Sequence, residues 1–305
     1  MELFAPIYYN KFKCIADKCR HSCCIDWEID IDEKTLEKYK NSATDICKSI
    51  ECADGEAYIR LCDDGRCPFL DGRGLCRIIS EYGESMLSDI CREHPRFYNC
   101  FENRVEAGLG LVCEEACRLV LDSDEPFSLI NIGEASFAEA CDVEYRDAVM
   151  HRAEIFRILD NADASLDEKL NTLEMSFFVS VDIHSLDEWL TVFWELEVLD
   201  EEWRRLLKDA AENTCVNDNR KYDVVFERFL KYLVYRHVSV ATDFENLRAR
   251  LGFCLLSVSV VRRIFNANSE KSKDKLFDII RLFSSEIEYS EENTAELIFE
   301  FESAL

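Results

Sequence analysis

The apolar and polar positions of this chain follow a helical rhythm from about residue 134 to the end. Apolar residues recur there at intervals of three and four, the spacing of helices that bury one face. The pattern is clearest in four stretches: LDEWLTVFWELEVLDEEWRRLLKDA (186–210), VVFERFLKYLVYR (224–236), FENLRARLGFCLLSVSVVRRIF (244–265) and KLFDIIRLFSSEI (275–287). Ser165 and Ser185 are each followed three residues later by glutamate, the arrangement of a helix-capping box. No fixed-period repeat is present, so a bundle is predicted rather than a solenoid.

The first 120 residues are instead divided into short elements. Residues 26–31 alternate apolar and polar side chains and predict a short half-buried strand. The next residues predict a short helix that carries Leu36 and Tyr39. Between residues 58 and 79, three turn pairs divide the chain into strand-sized pieces: Asp64-Gly65, Asp71-Gly72 and Arg73-Gly74. Such a region leaves little room for a conventional apolar core.

Two more helices are predicted before residue 125. One covers about residues 81–92 and ends ahead of Pro95. The other covers about residues 113–121, and it would place Cys113 and Cys117 on one face because they are four residues apart. Residues 122–126, DSDEP, have the composition of a loop.

These patterns together predict a mainly α protein of two domains. Residues 1–122 form a small, irregular, cysteine-rich module with short strands that binds a metal or cluster. Residues 123–305 form a helical domain, and the module packs on this helical bundle.

Charge and hydropathy narrow the function classes. The formal net charge of −26, from 62 acids against 36 bases, argues against a nucleic-acid partner because phosphate contacts need clustered lysine and arginine. The acidity either attracts a basic partner or only keeps the protein in solution. The first residues carry no basic leader, and the longest uncharged apolar stretch, residues 251–261, is too short to cross a bilayer. We therefore expect a cytoplasmic protein with no membrane insertion.

Sixteen cysteines are the most distinctive feature of the composition, and 13 of them lie at or before Cys117. In a reducing compartment, thiols gathered in this way indicate ligation of a metal or cluster. Inert buried thiols and redox disulfides are the alternatives. The three later cysteines, Cys141, Cys215 and Cys254, have the pattern of buried small apolar residues.

Eight cysteines are the candidate metal ligands. They are Cys14, Cys19, Cys23, Cys24, Cys67, Cys76, Cys91 and Cys113. Their spacing matches neither zinc fingers and ribbons nor ferredoxins, so it leaves zinc and iron–sulfur open. Adjacent residues in extended backbone point to opposite sides, so Cys23 and Cys24 would not easily serve one ion, although a turn could bring both inward.

The remaining cysteines and histidines of the module are less informative. Four further thiols stay unassigned: Cys47, Cys52, Cys62 and Cys100. His21 and His94 are possible mixed ligands, but we interpret both as turn residues because enough thiols are present without them. Three other histidines are expected to be packing or surface residues: His151, His184 and His237.

The order of these motifs resembles the bacterial flagellin lysine-N-methylases over about residues 1–125. The matching residues are Cys14, Cys19 and Cys23-Cys24 with Trp27, Ile29 and Ile31; Cys67-Pro68-Phe69-Leu70; Gly74-Leu75-Cys76 with Ile78; Gly83-Glu84, Leu87-Ser88 and Cys91; and Pro95-Arg96. That family belongs to a wider group with a cysteine-rich module that chelates zinc or iron. Residues 111–119 are similar to the segment that closes the module, except that Glu114 and Cys117 stand where proline and alanine are usual. Trp27, Phe69 and Arg96 have simple packing or capping explanations and are not assigned to the site.

The resemblance implies transfer of a methyl group from S-adenosylmethionine to a lysine side chain of a protein substrate such as flagellin. The chain lacks the glycine-rich turn of a Rossmann fold, since Gly108-Leu109-Gly110 has no third glycine. One hypothesis is that a 4Fe-4S cluster with an open iron chelates the amino and carboxylate groups of the cofactor. Neither the cofactor-binding residues nor the group that deprotonates the lysine stands out. The alternatives are a non-catalytic zinc- or iron-binding protein with a helical partner-binding domain, and a redox or metal-buffering protein.

Overall fold

The computed structural model describes residues 1–27, 29–42, 44–53, 55–101, 103–135, 146–213 and 220–305. Its strands are β1 (Glu2–Pro6), β2 (Ile50–Ala53), β3 (Glu56–Ile59), β4 (Arg96–Cys100), β5 (Arg104–Leu109) and β6 (Leu129–Glu134). Its α-helices are α1 (Glu33–Ser42), α2 (Thr44–Cys47), α3 (Arg77–Tyr82), α4 (Asp89–Glu93), α5 (Glu114–Leu121), α6 (Arg146–Leu159), α7 (Leu166–Phe177), α8 (Leu186–Glu195), α9 (Glu201–Glu212), α10 (Asp223–His237), α11 (Phe244–Ala267), α12 (Lys273–Phe283) and α13 (Glu291–Ala304). The predicted mainly α class is confirmed.

The chain forms two compact units, each built from separate segments. The cysteine-rich unit comprises Lys13–Phe97 and Cys113–Glu115. The sheet-and-helix unit comprises Met1–Phe12, Tyr98–Val112 and Ala116–Leu305. This division differs from the predicted ranges 1–122 and 123–305, because β1 pairs with both β5 and β6 and so keeps the first residues in the sheet-and-helix unit.

A four-stranded sheet in the order β4-β5-β1-β6 was not predicted from the sequence. β1 runs parallel to β5, with Leu3 opposite Val105, and antiparallel to β6, with Ala5 opposite Ile130. Every residue of β5 after Arg104 is buried. Its side chains, which are small or apolar except for Glu106, therefore lie in the interior and do not alternate between buried and exposed positions. The buried Gly108-Leu109-Gly110 segment therefore ends an interior strand.

The helices after residue 146 follow the predicted apolar periodicity. Both capping boxes form: the hydroxyls of Ser165 and Ser185 accept the backbone N–H of Glu168 and Glu188, whose carboxylates accept the serine N–H groups in return. The 24-residue helix α11 is buried along most of its length. A side chain at Gly252 of α11 would collide with the ring of Phe301, so this glycine lets two helices approach closely.

Two local expectations for the first 100 residues were wrong. Residues 81–92 form two helices, α3 and α4, rather than one, because Gly83 adopts a φ of +90° that ends α3. A 3₁₀ turn at Glu84–Met86 then separates the two helices. Residues 26–31 do not form a regular strand: Ile29 and Ile31 are buried as the alternation predicted, but among the described residues only an isolated bridge at Asp30 is formed.

A buried ion pair joins β5 to α6 inside the sheet-and-helix unit. The Glu106 side chain is fully buried, and its two oxygens accept hydrogen bonds from the Arg152 guanidinium at 2.5 and 3.1 Å. Arg152 also donates to the hydroxyl of Ser239 at 2.8 Å, and Arg104 lies 2.5 Å from the same carboxylate. Two cations therefore balance one carboxylate that has no access to water.

Among the described residues, no helix has both the length and the apolar character that crossing a bilayer requires.

Replacing Arg152 with methionine should lower the free energy of unfolding by about 3 kcal/mol, because the substitution leaves Glu106 buried with one cation fewer. Urea unfolding followed by far-ultraviolet circular dichroism measures this change. The exposed pair Lys11–Glu125 supplies the control, since Lys11→Met should change the same quantity by about 0.5 kcal/mol or less. Equal destabilisation by the two substitutions would contradict the importance of the buried pair.

Candidate metal centre

The cysteine-rich unit has an apolar core of its own, contrary to the expectation that its short elements leave little room for one. Its buried members are Ile29, Ile31, Tyr39, Ile46, Ala57, Ile59, Cys67, Phe69 and Ile78. Phe69 is 8% exposed, which confirms its packing role. Burial of these side chains stabilises the unit without any metal, so a metal would add to an existing fold rather than replace a missing core.

Helix α1 fixes the position of helix α4, which carries Cys91. One oxygen of the Asp32 carboxylate caps α1 by accepting the N–H of Thr35 at 2.9 Å, and the other accepts the N–H of Asp89 at 2.9 Å. Although partial burial opposes ionisation, these hydrogen bonds lower the pKa of Asp32. The Tyr39 hydroxyl of α1 donates to the carbonyl of Met86 at 2.6 Å. Cys91 thus lies in a helix, α4, whose first residue is hydrogen-bonded to the cap of α1, and α1 contributes Tyr39 to the apolar core.

Four of the predicted ligands lie around this core, and we name Cys24, Cys67, Cys76 and Cys91 the inner four thiols. Cys67 is buried, and the other three are half-buried. The Cys67 N–H donates to the Cys24 carbonyl at 2.8 Å, which aligns the two backbone segments. Leu70 forms an isolated antiparallel bridge with Cys76, so a tight turn brings Cys76 back beside the Cys67 segment.

The inner four thiols act electrostatically on one another in every pairing. Burial, reinforced by the neighbouring thiols, raises the pKa of Cys67 to about 12 and the pKa of Cys91 to about 11. Burial, followed by the same thiols, also raises the pKa of the Tyr39 hydroxyl. These groups are therefore neutral near pH 7, and a bound cation would be needed to hold the thiols as thiolates together.

The other four predicted ligands, Cys14, Cys19, Cys23 and Cys113, are named the outer four thiols. Cys14 and Cys23 are exposed, whereas Cys19 and Cys113 are half-buried. Cys14 acts electrostatically on both Cys19 and Cys23, and Cys113 acts on Cys23. These interactions connect all four thiols in a chain.

Glu114, which stands where the resembled family usually has proline, anchors the loop that carries Cys19. Its carboxylate accepts the backbone N–H of Arg20 at 2.9 Å and the Arg20 guanidinium at 3.0 Å. It also lies 3.8 Å from the Cys19 sulfur, whose thiol donates to the His21 carbonyl at 3.3 Å. Because Glu114 directly follows Cys113 in the chain, these bonds hold Cys113 beside residues 14–24.

Cys23 and Cys24 lie in a turn and connect the two sets. A hydrogen bond between their side chains lowers the pKa of Cys24 to about 7 and raises the pKa of Cys23. Cys23 interacts with outer thiols and Cys24 with inner ones. Cys14 also acts on Cys76, so the two sets lie near each other.

The donor chemistry fits a soft metal, since all eight predicted ligands are among the eleven cysteines of this unit. A hydrogen bond from the buried Ser88 hydroxyl favours the thiolate form of Cys91, the form that a metal ligand needs. Within the described residues, however, no three cysteine, histidine or carboxylate side chains already have metal-binding geometry, so ligation would require the thiols to turn inward.

His21 and His94 were interpreted as turn residues rather than as mixed ligands. Burial, together with the nearby charge of Arg96, lowers the pKa of His94 to about 4. The His94 ring meets Trp27 edge-on, with their centroids 5.9 Å apart. His94 thus packs as a neutral ring, and the backbone carbonyl of His21 accepts from Cys19.

The remaining cysteines have other environments. The predicted helix of about residues 113–121 is observed as α5, which begins directly after Cys113 and contains Cys117. The Cys117 thiol donates to the Phe277 carbonyl at 3.5 Å. Cys254 is fully buried as predicted, and Cys141 and Cys215 lie outside the described residues.

A cavity of about 270 Å³ lies in the sheet-and-helix unit. Its aromatic lining includes Tyr8, Phe127 and Tyr232, and its rim includes Glu227 and Lys231. Lys231 and Glu227 are paired at 3.0 Å, so these rim charges neutralise each other. The volume lies just below the range common for small-molecule sites.

Comparison with known proteins identifies relatives for part of the chain. It is 28% identical over 135 residues to the "Lysine-N-methylase" of Salmonella typhimurium, a match that covers 41% of this chain and 33% of that protein. The "Lysine-N-methylase" of Salmonella choleraesuis matches with the same identity and coverage. The predicted resemblance to the lysine-N-methylases is confirmed.

The "Flagellar biosynthetic protein FliU" of Salmonella muenchen is 27% identical over 135 residues, which cover 41% of this chain and 79% of that protein. For the two lysine-N-methylases, by contrast, the match spans only about a third of their length. No family model and no solved structure matches it.

Replacing Glu114 with glutamine should loosen the loop around Cys19, because the substitution removes the charged acceptor shared by the Arg20 backbone and guanidinium. Hydrogen exchange within residues 14–24 should become severalfold faster, as read by mass spectrometry of peptic fragments. Glu84→Gln, a charge-matched change elsewhere in the same unit, should leave that segment unaltered. Unchanged exchange in Glu114→Gln would refute the anchoring role.

Proposed function

We propose that this protein is a lysine N-methyltransferase that uses S-adenosylmethionine, acts on a protein substrate and carries a metal centre ligated by thiolates. The names of the relatives support a general methyltransferase activity, and the FliU name supports a link to flagella. The gathering of all eight predicted ligands in one unit supports the metal centre. The partial match to the methylases is the single observation that carries the proposal.

The reaction is a polar displacement. A neutral lysine nitrogen attacks the methyl carbon of the sulfonium, the sulfur–carbon bond breaks, and sulfur keeps the electron pair as a neutral thioether. The methylated nitrogen then gives up a proton. A free lysine has a pKa of about 10.4, so the enzyme must desolvate the amine or remove its proton before the attack.

The inner and outer thiols are the residues that would hold zinc or an iron–sulfur cluster. When bound, a cluster with one iron free of cysteine would supply a coordination position for the amino and carboxylate groups of S-adenosylmethionine. The sulfurs need only hold this group in place, because a polar methyl transfer requires no electron. The exposed Cys14 and Cys23 leave part of the site accessible to solvent.

The acidity of the chain would assist capture of a lysine-bearing segment. With a net charge of −26, the protein attracts cations over distances comparable to the Debye length, which is about 10 Å at 0.1 M salt. This attraction has no sequence specificity, so it raises the encounter rate without selecting the lysine.

Anaerobically purified protein, incubated with S-adenosylmethionine labelled in its methyl group and with flagellin, should transfer label to lysine side chains. Mass spectrometry of flagellin peptides locates the methyl groups. Flagellin with acetylated lysines is the control and should accept no label, because acetylation removes the nucleophilic amine. Absence of transfer by fully metal-loaded protein would refute the enzyme assignment and favour a non-catalytic metal-binding protein.

Added salt should lower kcat/KM for methylation of a lysine-rich substrate. We expect kcat/KM to fall severalfold between low salt and about 0.5 M sodium chloride, since screening removes the long-range attraction. Initial rates at several salt concentrations measure the effect. A lysine peptide made neutral overall by added glutamates is the control, and an equal salt effect on both peptides would contradict electrostatic steering.

A further inference from the structure

The cavity of the sheet-and-helix unit combines a buried apolar floor with a charged rim. Tyr8, Val120 and Tyr232 form the floor, and all three residues are buried. Phe127 lines one side, and its ring packs on that of Tyr235, with the two centroids 5.1 Å apart. The volume of about 270 Å³ is small for a drug-sized ligand, but it accommodates a single side chain of a partner protein.

The floor contains one phenol hydroxyl without a protein partner. Tyr8 is only 6% exposed, and burial is the sole cause of the raised pKa of its hydroxyl, which forms no hydrogen bond among the described residues. The Tyr232 hydroxyl, by contrast, accepts the Arg236 guanidinium at 2.9 Å and the backbone N–H of Leu111 at 3.4 Å. Because buried polar groups are normally satisfied, the Tyr8 hydroxyl is available to a polar group of a bound ligand.

The charges that the rim exposes to solvent are acidic. Asp124 is fully exposed and the Glu125 side chain is 43% exposed, and both lie on the loop of residues 122–126. The basic rim residues Arg228 and Lys231 are only 25% and 13% exposed. A molecule that approaches the cavity therefore meets carboxylates first, and this arrangement favours a cation.

The basic groups of the rim are already balanced by carboxylates. Lys231 lies 2.6 Å from Asp160 and 3.0 Å from Glu227. Arg228 lies 3.5 Å from Asp124 and also donates to a backbone carbonyl at 2.9 Å. An anionic ligand would have to displace these partners, whereas an ammonium group would leave them in place.

Glu125 has a partner that another cation can replace. Its carboxylate lies 2.7 Å from the ammonium of Lys11, which is 52% exposed and is not part of the cavity lining. An ion pair between two such exposed side chains contributes little to stability. An incoming ammonium group can therefore take the place of Lys11 at a small cost in free energy.

We infer that this cavity binds a lysine side chain of the protein substrate. The methylene stem lies against Val120 and Phe127, the ammonium group donates to the Tyr8 hydroxyl, and the Glu125 carboxylate balances its charge. Aromatic rings beside the ammonium group add a cation–π attraction. The inference rests on the lysine-bearing substrate of the proposed function, but it requires no methyl transfer.

Binding of a fluorescein-labelled flagellin peptide that contains one lysine tests the ligand. Fluorescence anisotropy with the full-length chain, in the absence of S-adenosylmethionine, measures the Kd. Peptides with acetyl-lysine or norleucine in place of the lysine should bind severalfold more weakly, because neither side chain carries an ammonium group. Equal affinity for the three peptides, or no binding of the lysine peptide, would overturn the inference.

Two variants test the cavity as the site. Val224 is exposed on the rim, so Val224→Trp should obstruct the entrance and weaken binding of the lysine peptide severalfold. Met175→Trp, at another exposed helical position of the same unit, is the control and should bind normally. Tyr8→Phe should also weaken binding, whereas Tyr82→Phe, which removes an exposed hydroxyl elsewhere, should not. Wild-type affinity in Val224→Trp would refute the cavity, and wild-type affinity in Tyr8→Phe would refute the role of its hydroxyl.

A third variant should strengthen binding, a result that misfolding cannot explain. Lys11→Met removes the ammonium group that competes for Glu125, so the Kd for the lysine peptide should fall severalfold. Lys48→Met, which breaks the exposed pair of Lys48 and Asp45, changes the net charge equally and should leave the Kd unaltered. Equal effects of the two substitutions would contradict the role of Glu125.

The outcomes separate this inference from the proposed function. Methyl transfer to flagellin, combined with wild-type peptide affinity in Val224→Trp, would refute the cavity as the lysine site and leave the methyltransferase assignment intact. Lysine-dependent binding that Val224→Trp abolishes, without methyl transfer by metal-loaded protein, would support the lysine site and refute the enzyme assignment.

Discussion

The electrostatic cost of ionising neighbouring thiols together is the constraint on which any metal centre in the cysteine-rich unit depends. Thiols packed this closely cannot all ionise unless a cation balances them, and burial alone already keeps Cys67 and Cys91 protonated near neutral pH. The polypeptide nevertheless holds the thiols together through contacts that involve no metal, chiefly the apolar core and the Asp32 and Tyr39 bonds from α1. Folding therefore gathers these sulfurs in one unit, although within the described residues the side chains would still have to turn inward to bind a soft cation.

The sequence predicted local features better than long-range ones. The apolar periodicity located α10 and α11, and the Ser165 and Ser185 boxes located two helix starts, because these signals depend on neighbours within one turn. The four-stranded sheet was missed because β1, β5 and β6 are far apart in sequence and two of them are bordered by helical patterns. The interruption at Gly83 was missed because a glycine inside a helical pattern signals a break only when its φ is known.

The candidate site could be predicted only in part. Spacing alone named the eight thiols and left open which of them could share a metal, since the side to which Cys23 and Cys24 point depends on the backbone of a turn. The role of Glu114 had no sequence signal except its departure from the usual proline. Similarity to the lysine-N-methylases covers 41% of the chain, so these relatives give no information about more than half of it.

The discontinuous make-up of the cysteine-rich unit has a consequence for biosynthesis. Its main segment ends at Phe97, and the short segment Cys113–Glu115 joins it only after β5 has been made. On a ribosome, the sulfurs up to Cys91 emerge early and can capture metal while the chain is still growing. Cys113, the last of the proposed ligands, is made more than 20 residues later, so a centre that included Cys113 could be completed only after translation of β5.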